Sequence, residues 1–393
     1  NAYKIRSFQT AINVIKTLDY PLKSGKEAEK LRGIGPKISA RIDAFINGKG
    51  PKTQAKALKK TKAASLFQTV PGVGYATAMK LVNAGCTSIK DMRKPEYFDM
   101  LTPAQKVGLM YIDHLDMPVT REQSESVADF IRDHISSKFE IVHSGSYRRK
   151  ALTSSDIDIL LFHPSYVHIP FPNVLPPDPS TINSTSVGPS SLTRGNAPVP
   201  FRSTSHTKEQ RLASPLLMDV VRPLEDSGLL AATLSGGPRK WQGVTIIPGR
   251  MNGRNTGQRL RDIRATRGIY RRLDLNLAPM GSRGAALLAL TGDVDFVRTC
   301  RINAIKLGMH LNEFGLWRWN DSASPPPLPD LVRRNSKYAK EREQRHKEEA
   351  ERRKNARGWW ELVEGESEEG ILRELGMGWV PPEKRNFRFL TSR

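Results

Sequence analysis

Two apolar segments of this chain carry aspartates at strand-like spacing, and this pattern is the strongest constraint on its fold. In "SDIDILLF" Asp156 and Asp158 alternate with isoleucines, and in "RRLDLNLAP" Asp274 alternates with leucines. Residues i and i+2 of a strand face the same side, so each segment predicts a strand with one apolar and one acidic face. Neighbouring carboxylates repel one another, so the acidic face needs a cation. A buried lysine or arginine would serve, and so would Mg²⁺, which prefers carboxylate and phosphate oxygens.

A turn that can hold phosphate comes directly before the first of these strands. In "GSYRRK" the Ser146 hydroxyl, the Arg149 guanidinium and the backbone amides of the turn can cradle a triphosphate. Three carboxylates that converge from adjacent strands can hold two metal ions, which clamp the attacking and leaving oxygens of an in-line phosphoryl displacement. The segment therefore predicts a phosphate holder followed by a metal holder.

Two Gly-x-Gly segments earlier in the chain repeat one another. "KLRGIGPKISARI" contains Gly33 and Gly35, and "TVPGVGYATAMKL" contains Gly72 and Gly74. Each pair permits a tight turn at the start of a helix, where outward-pointing N–H groups can hold a phosphate. Carbonyl groups on the approach side can share a monovalent cation with that phosphate. Such a contact reads no base, so the repeat predicts binding to a nucleic-acid backbone without sequence preference.

The overall charge favours a polyanionic partner. The 393 residues include 62 Lys and Arg against 40 Asp and Glu, a formal net charge of +22. The two cysteines, Cys86 and Cys300, form no CxxC zinc motif or disulfide framework, which fits a reducing compartment. The sequence has no apolar run long enough to cross a membrane.

Composition divides the remaining chain into helical, mixed and inserted parts. Residues 1–118 predict short helices, and strand-like runs begin only after a helix around 124–139. Residues 165–207, rich in Pro, Ser, Thr and Asn, predict a disordered insertion. The Gly-, Arg- and Asn-rich residues 249–266 predict a long loop, and the charged residues 337–357 predict a solvated helix.

Taken in order, these motifs resemble those of the family X DNA polymerases, of the beta and lambda kind. The similarity is carried by "GSYRR" with "SDIDILLFHPS", then "TLSGGPRKWQGV", "RRLDLNLAP", "LTGDVDF" and "LNEFGLW", after the paired helix-hairpin-helix segments. The first of these pieces alone is shared with many nucleotidyltransferases, whereas the ordered set is far more specific. The resemblance implies an α+β, multidomain fold: a helical helix-hairpin-helix N-terminal region, a nucleotidyltransferase palm and a small α/β C-terminal subdomain.

The resemblance also implies four domains. Residues 1–58 would form a lyase-like helical domain and 59–118 a DNA-binding helix-hairpin-helix subdomain. Residues 119–280 would form the palm, with the insertion 165–207, and 281–393 the nucleotide-selecting subdomain, with a charged helical insertion at 330–358. By the family's measure the chain starts inside its first domain, and residue 1 is asparagine, so we expect its natural N-terminus to lie further upstream.

Site residues follow from the family's motifs, position by position. Asp156, Asp158 and Asp274 would bind the metals, with Asp274 also steering the primer 3′-hydroxyl proton. The nucleotide would be held by Ser146, Arg149, Ser154, Ser155, Arg121, Ala289, Leu290 and Gly292. DNA would be contacted by Gly33, Gly35, Lys37, Gly72, Gly74, Lys240, Arg272 and Arg301. The monovalent cations would lie on the backbone carbonyls of Glu29, Leu31, Ile34, Gln68, Val70 and Val73.

The chain departs from the family's pattern at several of these positions. Lys150 and Ser155 replace two usual glycines, and Ala289-Leu290 replaces an aromatic pair, which leaves more room around the ribose. The family's nucleophilic lysine for deoxyribose-phosphate lyase chemistry falls on Arg41, whose guanidinium stays protonated and cannot form a Schiff base. Lys37, one helical turn earlier, could replace it, but we favour a weak or absent lyase in which Lys37 binds a 5′-phosphate.

The expected function is template-directed DNA synthesis that fills short gaps during base excision repair or end joining. Its cofactors would be two Mg²⁺ ions, with Mn²⁺ as an alternative, and Na⁺ or K⁺ at the hairpins. Its partners would be gapped or broken duplex DNA, deoxynucleoside triphosphates and other repair proteins, with the chain a monomer in the nucleus and no membrane contact. Two alternatives stay open: a template-independent terminal transferase, with 249–266 as a loop that blocks the template strand, and a DNA-binding repair scaffold with a weakened active site.

Overall fold

The computed structural model describes residues 2–16, 18–47, 52–172, 174, 214–249, 255–321 and 358–386. The chain divides into two compact units, Asn1–Thr102 and Pro103–Arg393. Residues 175–207 of the predicted insertion at 165–207, the charged segment at 330–357 and residues 250–254 of the predicted loop lie outside the described residues. Residues 165–172 are ordered against the predicted disorder, because Tyr166 is buried in the core of the second unit. No helix within the described residues is long and apolar enough to span a membrane.

The regular secondary structure in the described residues of the first unit is helical, as the apolar spacing of the sequence predicts. Its α-helices are α1 (Ala2–Lys16), α2 (Gly25–Glu29), α3 (Pro36–Ile46), α4 (Lys52–Phe67), α5 (Tyr75–Asn83) and α6 (Pro95–Phe98). One small core forms where Ala11, Ala28 and Ile34 pack together with partly buried aliphatic side chains of α1 and α3. Phe67 and Leu81, on α4 and α5, are also fully buried.

The two Gly-x-Gly segments adopt matching turns. Gly33 and Gly72 have φ of +99° and +83°, a left-handed conformation that glycine adopts without steric cost. Gly35 and Gly74 then cap α3 and α5 with extended backbone and no side-chain hydrogen bond. The first N–H groups of both helices therefore have no side-chain cap.

The second unit begins with helices that lead into a mixed sheet. Its α-helices before the C-terminal subdomain are α7 (Pro103–Met110), α8 (Ile112–Leu115), α9 (Arg121–His134), α10 (Gly145–Arg148), α11 (Arg222–Asp226) and α12 (Thr256–Arg264). Helix α9 starts at a capping box, in which Thr120 and Gln123 satisfy each other's backbone N–H groups. A two-stranded ladder pairs β1 (Val119–Thr120) with β3 (Thr153–Ser154).

A five-stranded sheet forms the centre of this unit. Its order is β2-β4-β7-β6-β5, with β4 and β7 parallel and the other pairs antiparallel. The strands are β2 (Glu140–His143), β4 (Ile157–Phe162), β5 (Leu230–Gly236), β6 (Lys240–Ile246) and β7 (Tyr270–Ala278). As the alternation predicts, Ile157, Ile159 and Leu161 share one buried face with Leu273, Leu275 and Leu277, against α9.

The C-terminal subdomain is a small three-stranded sheet with helices. It contains α13 (Arg283–Thr291), α14 (Val294–Lys306), β8 (Met309–Asn312), β9 (Gly315–Asn320), β10 (Trp359–Glu364) and α15 (Glu368–Glu374). Its sheet is antiparallel in the order β10-β9-β8. Ala286 and Leu287 of α13 pack on Leu160 and Phe162 of β4, so this subdomain covers the end of the face that carries Asp158.

Residues 256–264, which the sequence analysis assigned to a loop, form helix α12, and that part of the prediction is wrong. The Asn255 side chain accepts the Gln258 N–H and starts the helix. Ile263 packs partly buried against the cluster of Tyr111, Val244, Ile246 and Tyr270. The composition suggested a loop because the few apolar residues of this segment are interspersed with glycines and arginines.

A buried charge network joins the C-terminal subdomain to α10. Arg385, fully buried, donates to Glu368 at 2.6 Å, and Arg148 donates to both oxygens of the same carboxylate. The Glu368 side chain is only 7% exposed. Removing it would leave two guanidinium groups, one of them buried, without their carboxylate.

We predict that Glu368→Ala destabilises the protein by about 3 kcal/mol, because truncating one partner of a buried network leaves an uncompensated charge. Glu140→Ala is the matched control, since it removes the Arg283–Glu140 pair, whose side chains are 36% and 45% exposed. That change should cost less than about 1 kcal/mol. Denaturant unfolding of both variants measures the difference, and equal losses would contradict the prediction.

Candidate metal and nucleotide site

Three carboxylates converge at the interior strands β4 and β7 of the central sheet. Asp156 lies just before β4, Asp158 lies in β4, and Asp274 is its direct partner in the parallel register with β7. One oxygen from each residue lies within 4.8 Å of the other two. The sequence analysis proposed these residues as one cluster, and the structure brings them together. Parallel pairing produces the convergence, because the register sets Asp158 beside Asp274 on one face.

Burial makes this cluster electrostatically unfavourable without a cation. Asp274 is 5% exposed. Burial and then the charge of Asp274 raise the pKa of Asp158 to about 6, while Lys240 and Arg149 act in the opposite direction. At pH values near or below this pKa, a proton and a metal ion compete for the carboxyl group.

Arg272 supplies part of the missing positive charge. Its guanidinium is in ion-pair contact with Asp156, and its Nε lies 3.6 Å from Asp274 Oδ1. The sequence analysis expected Arg272 near template and primer, and in the structure it contacts the carboxylates. Its side chain is 39% exposed, so it can swing away into solvent.

The cluster also fits a divalent metal. Asp274 Oδ1 is buried and has no hydrogen-bond partner among the described residues, an arrangement that is costly unless a cation fills it. All three ligand groups are carboxylates, the donors that Mg²⁺ and Mn²⁺ accept. These residues could therefore hold such an ion.

Gly145 lets residues 145–150, which we call the phosphate turn after their predicted role, lie directly against Asp158 of the aspartate cluster. It has a φ of +58°, and a Cβ atom there would lie 2.0 Å from Asp158 Oδ2. The Ser144 N–H donates to the Asp158 carbonyl at 2.9 Å, which fixes the turn against β4. Only glycine fits both the conformation and the close contact.

The predicted phosphate ligands surround this turn. Ser146 Oγ donates to Ser154 Oγ at 2.6 Å, and Ser155 Oγ donates to Asp156 Oδ1 at 2.9 Å. Arg121 is engaged differently: it stacks 3.7 Å from the Tyr147 ring and donates to the Tyr147 carbonyl at 2.9 Å. In this structure Arg121 therefore stabilises the turn through its contacts with Tyr147.

Arg149 points toward the C-terminal subdomain. It donates to the Thr291 carbonyl and, at 2.9 Å, to Asn386 Oδ1. Gly292 lies next to it, since a Cβ at Gly292 would be 2.9 Å from an Arg149 nitrogen. The structure therefore brings Arg149 and Gly292 together, while their binding of a nucleotide stays a prediction.

The other predicted nucleotide and DNA residues of this unit lie on α13, β6 and α14. Ala289 is half-buried at the end of α13, and Leu290 packs partly buried on the apolar cluster of β4 and β7. Lys240 starts β6 opposite Asn276. Arg301 lines a cleft of about 430 Å³ with Arg298 and His310. Burial and then Arg301 lower the pKa of His310 to about 4, so this imidazole is neutral near pH 7.

The predicted hairpin residues lie in the first unit. The Leu31 carbonyl accepts the Ile34 N–H, and the Val70 carbonyl accepts the Val73 N–H, each within the turn. Lys37 and Arg41 are both exposed on α3, and Arg41 lies 5.3 Å from the Phe8 ring. Phosphate and monovalent-cation binding at these turns stay predictions.

Three residues near the site were missed from the sequence. Gln242 donates to Asp274 Oδ2, Asn386 accepts from Arg149, and Arg148 donates to Thr291 Oγ1 at 2.7 Å. No strand was predicted over Lys240 and Gln242, and the pairing of Gln242 with Asp274 depends on the register of β6 with β7. Asn386 follows Arg149 by 237 positions, and nothing local marks it.

Known protein families match the chain in the expected order. A helix-hairpin-helix domain model matches residues 1–50, and the fingers domain of DNA polymerase lambda matches 65–116. The DNA polymerase beta palm matches 119–172, and the DNA polymerase beta thumb matches 286–386. Together these four models cover more than half of the chain.

Two curated relatives of this chain are both named DNA polymerase lambda. DNA polymerase lambda of Arabidopsis thaliana is 32% identical over 163 residues, which are 40% of this chain and 30% of that protein. DNA polymerase lambda of Rattus norvegicus is 24% identical over 322 residues, which are 80% of this chain and 45% of that protein. The chain thus spans less than half the length of these two relatives.

We predict that divalent-metal affinity falls about tenfold per pH unit below the raised Asp158 pKa of about 6, because a proton then competes for one ligand. The stability of the metal-free protein changes with pH in the opposite direction to its metal affinity. The raised pKa of Asp158 stabilises the metal-free fold at low pH, and this contribution is lost as pH rises from 3.8 through about 6. Calorimetric Mn²⁺ titration between about pH 5 and about pH 7 measures the slope. An affinity that stays constant over that range would contradict the prediction.

Proposed function

The chain belongs to family X of the DNA polymerases, and on this basis we propose that it is a template-directed DNA polymerase that extends a primer 3′-hydroxyl. Its substrates are deoxynucleoside triphosphates, and its task is to fill short gaps in DNA during base excision repair or end joining. The observation that carries the proposal is the cluster of Asp156, Asp158 and Asp274, in which one buried Asp274 oxygen lacks a hydrogen-bond partner among the described residues.

The metal ions of this reaction are two Mg²⁺, with Mn²⁺ as an alternative. When bound, they neutralise charge on the attacking and leaving oxygens of the displacement. Asp156 and Asp158 would hold both ions. Asp274 would be a ligand of one ion and would accept or steer the proton of the primer 3′-hydroxyl, a role that its burial within the sheet supports.

The incoming triphosphate binds at the turn before β4. Ser146 and Ser154 already lie within hydrogen-bond distance of each other, so two hydroxyls face one small region, with Ser155 beside them. Arg149 donates to the β- or γ-phosphate after it leaves the Thr291 carbonyl and Asn386. Arg121 assists by holding the turn, and Ala289, Leu290 and Gly292 border the sugar.

Duplex DNA is held by its backbone. The starts of α3 and α5, which have no side-chain cap, would bind phosphates through their N–H groups, with Lys37 beside the first. The carbonyls of each hairpin would hold a Na⁺ or K⁺ ion. Lys240, Arg272 and Arg301 contact template and primer in the second unit. Arg272 must exchange its carboxylate partners for DNA or solvent when metal binds.

The cellular setting follows from this chemistry. We place the protein in the nucleus, as a monomer that meets gapped or broken duplex DNA together with other repair proteins. The four parts with the boundaries given above, residues 1–58, 59–118, 119–280 and 281–393, serve as the lyase-like, DNA-binding, palm and nucleotide-selecting parts. The structural division after Thr102 lies within the second of them.

Two alternatives are less well supported. A terminal transferase needs a loop that blocks the template strand, and residues 256–264 of the candidate loop are helical. A scaffold with a weakened active site does not need three carboxylates to be kept together in a partly buried cluster. Extension of a gapped duplex, compared with extension of a single-stranded primer, separates all three functions.

We predict that Asp274→Ala lowers gapped-duplex extension by at least about a thousandfold, because it removes a metal ligand of the reacting site. Duplex affinity should change less than about twofold, since the residue makes no phosphate contact. Asp129→Ala is the control, as Asp129 is an exposed carboxylate paired with Arg132 on α9. Wild-type protein that binds duplex but extends neither a gapped nor a single-stranded primer would refute the proposed function.

The lyase activity should be weak or absent, because the guanidinium of the exposed Arg41 cannot form a Schiff base and because we infer that Lys37 binds a 5′-phosphate instead. We predict little adduct after borohydride trapping on a 5′-deoxyribose-phosphate substrate. Arg41→Lys should increase trapping, since it returns an amine to that position. A strong wild-type adduct that disappears in Lys37→Ala would contradict this reading.

A further inference from the structure

The side chain of Gln242 contacts the deepest carboxylate of the site. In the antiparallel register of β6 with β7, Gln242 is the direct partner of Asp274. Its Nε2 donates a hydrogen bond to Asp274 Oδ2. A hydrogen bond from an amide to a buried carboxylate is charge-assisted, so it is stronger than a bond between neutral groups.

The two oxygens of Asp274 therefore have different environments. Oδ2 accepts from Gln242, whereas Oδ1 is buried without a hydrogen-bond partner among the described residues. Arg272 Nε lies 3.6 Å from Oδ1, beyond hydrogen-bond distance but close enough to attract it. Gln242 and Arg272 thus pull on opposite oxygens of one carboxylate.

The backbone of β6 holds Gln242 firmly. The strand is paired on both sides, with β5 and with β7. Trp241 before it is 1% exposed, and a Cβ at Gly243 after it would lie 2.3 Å from the Ala232 carbonyl oxygen. A side chain on so constrained a backbone can fix the orientation of its partner.

We propose that Gln242 is a positioning residue for Asp274. It holds Oδ2 and keeps Oδ1 turned toward Asp156 and Asp158 as the metal-binding oxygen. This inference rests on the proposed function, in which the three aspartates bind the metals of the reaction. It concerns metal binding first and catalysis only through it.

The test uses Gln242→Met, which keeps the length of the side chain and removes its donor. Mn²⁺ binding to the full chain without DNA, followed by electron paramagnetic resonance, should weaken by about tenfold, the size typical of losing a partner that orients a metal ligand. In gapped-duplex extension with Mg²⁺, kcat should fall by a similar factor, while KM for the nucleotide and duplex affinity stay within about twofold.

Gln258→Met is the matched control. Gln258 Nε2 donates to Asp262 Oδ1 at 3.1 Å on α12, so the change removes the same type of bond away from the cluster. Its Mn²⁺ affinity and extension rate should equal those of the wild type. If Gln242→Met does not fold, Gln242→Asn replaces it, because its shorter amide cannot reach Oδ2.

Folded Gln242 variants that bind Mn²⁺ as tightly as the wild type would overturn the proposal. So would a loss of Mn²⁺ affinity of the same size in Gln258→Met, which would mark a general effect on the fold. A wild-type protein that binds Mn²⁺ at the aspartates yet extends no primer would refute the proposed function and leave the Mn²⁺ comparison to decide the role of Gln242.

Discussion

Repulsion among three carboxylates in a partly buried pocket is the interaction on which the rest of the site depends. Asp158 and Asp274 are adjacent across a parallel ladder, and Asp156 lies one step away. At such distances and low dielectric the repulsion is large unless cations or protons offset it. Two features reduce this repulsion: the pKa of Asp158 is raised, and Arg272 forms an ion pair with Asp156. Asp274 Oδ1 nevertheless has no hydrogen-bond partner among the described residues. The remaining unfavourable energy is what a divalent ion relieves, so metal affinity comes from a strained metal-free state.

The phosphate turn is linked to the C-terminal subdomain through two consecutive arginines. Arg148 joins the Glu368 and Arg385 network, and Arg149 binds the Thr291 carbonyl and Asn386. The first arginine is committed to a carboxylate with both oxygens engaged. The hydrogen bonds of the second go to neutral acceptors, which bind a guanidinium less strongly than a charged phosphate group would. Arg148 therefore anchors the turn, whereas the hydrogen-bond partners of Arg149 are more easily exchanged.

Much of this site could be predicted from the sequence because its signal is local. Alternation of Asp158 and Asp274 with aliphatic residues set both strands and their acidic face, and the two glycine turns marked the hairpins. The register that pairs Asp158 with Asp274 is a tertiary property, and no local pattern shows it. For the same reason the partners Gln242 and Asn386 escaped detection. The 256–264 error has another cause, since an Asn cap and one buried isoleucine outweighed a loop-like composition.

Lys150 shows how a departure from the family's pattern is accommodated. It follows α10 with a φ of +61°, where its N–H bonds the Tyr147 carbonyl at 3.0 Å. A side chain in this left-handed region costs about 1 kcal/mol relative to the glycine that the family usually has there. Its amine, with the side chain 72% exposed, lies 3.6 Å from Glu383, a surface pair that contributes little stability. The strain is therefore not offset by packing. A positive charge one residue beyond Arg149 would favour an approaching polyanion, so lysine at this position fits the phosphate binding that we propose for the turn.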